Sequence, residues 1–169
     1  MSESRDKMIK SLKNIFVPRI REIGFQGSFP HFKRITKDKI DLLTFQFGSC
    51  GGEYCIEISF FLPNSKNNNL IFNNKPINIK KINTWDMIKR KRLLPKKGKR
   101  WFVYHDIIEQ KILFKRFHTL VDPKDREFYK NKKVKWIQKA DNNIYDKLAT
   151  ESLEYIEEAQ KWWKSIKYK

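Results

Sequence analysis

Residues 40–63 read IDLLTFQFGSCGGEYCIEISFFLP. Two apolar runs flank the glycine-bearing GSCGG turn, so the stretch predicts an antiparallel hairpin of strands 40–48 and 53–63. Leu43, Phe45 and Phe47 share one face of the first strand. Tyr54, Ile56, Ile58 and Phe60 share one face of the second. Pairing Phe47 with Tyr54, Phe45 with Ile56 and Leu43 with Ile58 gathers them on one side. A slip of one residue would bury the other set instead, so the register is strongly specified. The opposite face carries Thr44, Gln46, Cys55, Glu57 and Ser59. One apolar and one polar face is the pattern of an antiparallel sheet packed on helices.

Upstream, Met8, Leu12, Ile15, Phe16, Ile20 and Ile23 recur at the spacing of one helical face, which predicts an amphipathic helix over 4–23 with Ser4 as N-cap. Pro18 lies inside it and should kink the helix or end its first part. Gly24 supplies the left-handed stop. GFQGSFPHFKRI, residues 24–35, reads as a loop entering a strand at His31–Ile35, and Thr36-Lys37-Asp38-Lys39 as a hairpin turn. Downstream, residues 64–79 hold seven Asn and read as a low-complexity loop with weak structure. Residues 84–104 suggest a second hairpin: TWDMIKRKRLLP, the polar tip KKGK, then RWFVY. Residues 107–118 suit a short helix or a strand, Asp122-Pro123 starts a turn, and 124–140 is charged and interrupted. Residues 143–166 form a second amphipathic helix, with Leu148, Tyr155, Ala159, Trp162 and Ile166 along a stripe widened by Ile144, Ile156 and Trp163. The expected fold is α+β, a single domain over 1–169. It consists of an antiparallel sheet of four to five strands packed against the N-terminal and C-terminal helices.

Composition bounds the function. At 169 residues a chain buries about 68–70% of the surface its unfolded form exposes, enough to fold with no disulfide or metal. No apolar run approaches the ~18 residues of a spanning helix, so no membrane span is expected. MSESRDKMIK has no apolar signal core, which argues for a cytoplasmic protein. The net charge is +18 and is uneven: residues 64–140 carry 22 basic and 6 acidic side chains. Such a field favours anionic partners. Yet 28 of the 37 basic residues are Lys, and Asn and Ile crowd the same stretch, as base composition alone would produce. Arg, the better residue for bidentate phosphate recognition, is the minority.

Residues 80–100 are the main candidate binding stretch, with ten Lys and Arg against Asp86 and with Trp85 and Trp101 flanking the charge run. Lys89, Arg90, Arg92, Lys97 and Arg100 are the candidate anion contacts. On a strand, Arg90 and Arg92 share one face and Lys89 and Lys91 the other. A basic ribbon can track phosphates while aromatics stack on bases. The plain alternative is a solvated hairpin whose lysines protect a sheet edge. The polar face of Thr44, Gln46, Glu57 and Ser59 is either a recognition platform, a solvated face, or a hydrogen-bonded network under the inserted segments. Cys50 and Cys55 make a lone C-x4-C, and His31, His105 and His118 lack metal spacing, so no metal or cofactor is expected. No P-loop, G-x-S-x-G or H-E-x-x-H motif is present. His31 or His105, with Asp106, Glu53 or Glu57, is the remaining route to an acid–base site.

The runs GFQGSFPHFKR, IDLLTFQFGSCGGEYCIEI, TWDMIKRKRLLP, RWFVYHD and IEEAQKWW, in that order, resemble the bacterial family called domain of unknown function 4304. The resemblance spans most of the chain, with the Asn-rich loop and residues 107–140 as insertions. It implies a compact α+β domain of helix, antiparallel strands and closing helix, and implies no particular activity. The expected function is a non-catalytic module binding another macromolecule. Small α+β proteins of this kind include immunity proteins that neutralise toxins, an analogy at the level of fold. The first expected partner is a protein with an acidic surface. Nucleic acid bound through residues 80–100 is the alternative, and an enzyme using His31 or His105 the third reading.

Overall fold

A computed structural model of the chain describes residues 3–49, 52–64, 70–71, 78–95, 101–104 and 143–166. Helix α1 (Glu3–Ser11) runs into a π-helical turn (Leu12–Phe16) and then α2 (Val17–Glu22). Pro18 is the cause. It has no N–H, and its ring would crowd a carbonyl one turn back. The wider turn before it gives room, and Val17 N–H bonds the Leu12 carbonyl five residues earlier. Met8, Leu12, Phe16 and Ile20 stay fully buried along this helix. Its end is a Schellman motif: Gly24 N–H bonds Arg21 O at 2.9 Å, and Phe25 N–H bonds Ile20 O at 3.0 Å. Gly24 sits at φ +92°, the conformation a side chain disfavours.

Four antiparallel strands follow: β1 (Gln26–Ser28), β2 (His31–Ile35), β3 (Ile40–Phe47) and β4 (Glu53–Phe61). The central register is the expected one, with Leu43 opposite Ile58, Phe45 opposite Ile56 and Phe47 opposite Tyr54. Strand β1 lies where the sequence suggested a loop. All three of its residues are exposed, so it carries no alternation to read. Arg21 blunts this short edge by donating to the Phe25 carbonyl at 2.9 Å and to the Gly27 carbonyl.

Among the described residues, the two arms of the expected hairpin over 84–104 do not pair with each other. Strand β5 (Arg90–Leu93) and strand β6 (Phe102–Val103) both pair with β4. Leu93 lies opposite Ile56 and Phe102 opposite Tyr54, so the two take consecutive places along the same edge of β4. Each gains more by burying Leu93 or Phe102 on the core face than by pairing with the other. The C-terminal helix is also divided, into α3 (Asn143–Leu153) and α4 (Tyr155–Ser165), with a turn at Glu154. Trp163 is its fully buried tryptophan, while Trp162 is only partly buried.

The α-helices among the described residues cover one face of the sheet. The core there joins Met8, Leu12, Phe16 and Ile20 to Phe45, Ile56 and Ile58, and to Tyr145, Leu148, Ala149 and Trp163. Burying each large aliphatic contributes about 1.5–3 kcal/mol. The other face is covered too. Ile40, Leu42 and Phe61 meet Leu70, Ile82 and Met87 in a second apolar cluster. Leu70 and Met87 form an antiparallel bridge, and Ile71 N–H bonds the Asp86 carbonyl at 2.9 Å. Residues 70–71 and 78–88 therefore lie over the polar face as a cover. Residues 65–69 and 72–77 of the Asn-rich loop, and everything read over 105–142, fall outside the described residues.

Candidate functional site

Register places four polar side chains in one row across the face turned away from the helices. His31 on β2 lies opposite Thr44 on β3, Thr44 opposite Glu57 on β4, and Glu57 opposite Arg92 on β5. Gln46 and Cys55 flank the row on one side, and Ser59 and Arg90 on the other. Thr44 and Ser59 are fully buried and Glu57 is 3% exposed. The covering segment leaves this face partly shielded, with Gln46 half-buried and Arg92 exposed at its edge.

The pairings are local and fall into two groups, one at His31 and Thr44 and one around Glu57. His31 Nδ1 meets Thr44 Oγ1 at 3.1 Å. Arg92 Nε donates to Glu57 Oε1 at 2.8 Å, and Arg92 Nη2 donates to Gln46 Oε1 at 3.1 Å. Arg90 Nη1 is 3.9 Å from Glu57 Oε2, so two guanidinium groups share one buried carboxylate. Ser59 Oγ donates to the Lys89 carbonyl at 2.6 Å. The expected alternation of β5 is observed: Lys91 turns to the opposite face and meets Glu158 of α4 at 2.8 Å.

A tryptophan stands at each end of the row. Trp85 meets His31 edge-on, with centroids 4.8 Å apart. Its position follows from Asn83, which accepts from Trp85 N–H at 2.9 Å while its own N–H donates to Asp86 Oδ2 at 2.9 Å. That reciprocal cap shapes the 3-10 turn Thr84–Asp86. Trp101 lies under Arg92, with the guanidinium carbon 5.3 Å from the ring centroid. Burial lowers the pKa of His31, opposed by the nearby Asp86 carboxylate. Burial also pushes the Cys55 thiol up to about 12, which suits a free, inert thiol.

Of the candidate anion contacts, Arg90 and Arg92 come together and Lys89 is exposed beside them; Lys97 and Arg100 lie outside the described residues. The same holds for His105 and Asp106. His31 is bonded to a hydroxyl, and Glu57, two strands or roughly 9–10 Å away, is committed to arginine. Among the described residues no cluster of His, Cys, Asp or Glu could hold a metal ion, and no helix is long and apolar enough to cross a membrane.

Sequence reasoning missed a second polar cluster. Asp41, fully buried, lies on the core face of β3. Arg34 Nη2 reaches its Oδ2 at 2.7 Å and Lys39 Nζ its Oδ1 at 3.3 Å, and Lys39 also donates to the Trp163 carbonyl near the end of α4. The signal was available: the period of two that puts Leu43 and Phe45 inward puts Asp41 inward with them. It also missed the outward isoleucines of the cover, Ile71, Ile79 and Ile88.

A family model described as "Domain of unknown function (DUF4304)" matches residues 16–165. No curated protein and no solved structure matches the chain.

Proposed function

The chain belongs to the DUF4304 family, and from that premise we propose that it is a non-catalytic module that binds a protein carrying an acidic surface. One observation carries the reading. The Leu70–Met87 bridge turns those two side chains inward, and alternation turns Ile71 and Ile88 outward. Ile88 is 67% exposed and Trp85 45%, on a cover that also presents Lys80, Lys81 and Lys89 to solvent. Apolar side chains set among cations suit a protein surface with carboxylates around an apolar centre. Arg90 and Arg92 share Glu57, which leaves the group one net positive charge, fitting a single carboxylate better than a run of backbone phosphates. The free, buried Cys55 thiol is what supports a reducing compartment, the cytoplasm, as part of this reading.

The test uses two baits in the native host's extract, the wild-type chain and Ile88→Glu. A protein with an acidic segment that is retained by the wild type and lost by Ile88→Glu supports the reading. The same proteins on both baits, or retention only of nucleic acid with a steep loss on added salt, overturns it.

A further inference from the structure

We propose that Arg92, seated over Trp101 and braced by Glu57 and Gln46, is the anchor for a single carboxylate side chain of the acidic partner, with Arg90 as the second contact. The inference rests on the acidic-partner reading above and narrows it to one place.

Preorganisation is the first argument. Arginine ordinarily loses substantial side-chain freedom when it binds. Here the Glu57 and Gln46 bonds and the Trp101 ring hold the guanidinium before any partner arrives. Less entropy is then lost on association. The two bonds use Nε and Nη2. Nη1, with the remaining Nη2 hydrogen, forms the other edge of the fork, and 43% of the side chain is open to solvent. Two coplanar donors match the two oxygens of a carboxylate.

Charge is the second argument. Arg90 and Arg92 around one Glu57 carboxylate leave one net positive charge. One carboxylate neutralises it. A nucleic-acid backbone presents a row of phosphates and binds best to a row of uncommitted cations, whereas Lys91, between the two arginines, is turned away to Glu158. Trp101 adds an apolar wall for the methylenes of an incoming Glu.

The experiment is fluorescence anisotropy of the full chain with labelled poly-L-glutamate, and with oligo-dT at the same salt. Arg92→Lys keeps a cation beside Glu57 and removes the planar fork. Trp101→Leu removes the ring and leaves the Glu57 pair, so it carries the test should Arg92→Lys unfold. Lys147→Gln removes an exposed charge on α3, away from the cover. Arg92→Lys and Trp101→Leu are each expected to weaken poly-glutamate binding about tenfold, and Lys147→Gln by less than about threefold. If both anchor variants stay within about threefold of wild type, the anchor is overturned while the acidic-partner reading stands. A wild type that ignores poly-glutamate at low salt overturns both. Tighter binding to oligo-dT that Arg92→Lys abolishes overturns the carboxylate in favour of phosphate.

Discussion

Trp163 Nε1 donates to the Ser59 carbonyl at 2.7 Å, so the last helix is pinned to the central strand through 104 residues of separation. The indole is 1% exposed and packs on Phe25, with centroids 5.2 Å apart. Trp163→Phe removes the donor, leaves a buried carbonyl short of a partner and opens a small void. We expect a loss of about 2 kcal/mol in urea unfolding.

Asp41 holds two cations in the core, Arg34 and Lys39. Breaking one partner of a buried cluster leaves charge uncompensated. Asp41→Asn is therefore expected to cost about 3–5 kcal/mol, with unchanged secondary structure by circular dichroism below its midpoint. A loss under about 1 kcal/mol would show that the cluster behaves as a surface pair.

His31 has a folded pKa below its ordinary 6.5 because burial disfavours the imidazolium. The unfolded chain thus binds the proton more tightly. The stability His31 contributes is complete above the unfolded value, and it declines as pH falls from there through the folded value. Denaturation of wild type and His31→Gln at pH 7.5 and at pH 5 (about 2.5 units apart) should show the wild type losing more over that interval. Parallel losses would contradict this.

Cys55 is buried with its thiol pushed up to about 12, and it donates to Gln46 Oε1 at 3.7 Å. In a Cys50→Ser background, iodoacetamide at pH 8 (about the thiol's ordinary range) should leave the native protein unlabelled and label it fully in urea. Labelling at equal rates would mean that the cover opens readily.

Gly27 sits at φ +112°, and a Cβ there would fall 2.7 Å from the His31 carbonyl oxygen. Gly27→Ala should cost about 1–3 kcal/mol, read as a lower thermal midpoint. The β1–β2 hairpin should be the part that loosens in hydrogen exchange.

The sequence made the β3–β4 register legible because Phe45, Ile56 and Ile58 alternate cleanly against Thr44, Glu57 and Ser59. Gly24 and Pro18 also marked their positions, each through backbone chemistry that has few substitutes. The rest depended on contacts remote in the chain. Nothing local tells Phe102 to pair with β4 instead of β5, since that choice is made by burial against Tyr54 and Tyr155. The candidate site was half visible. Arg90 and Arg92 were expected to share a face, but Glu57 drawing them together is a product of two registers, and Trp85 reaches His31 only because Asn83 shapes its turn.

Strand β5 ends opposite Ile56 and β6 begins opposite Tyr54, so only Cys55 of β4 lies between their pairings. Leu93 and Phe102, nine positions apart in the chain, are thus held side by side by β4. A fluorophore-bearing peptide or an affinity tag inserted between them would be tethered at two fixed points beside Arg92.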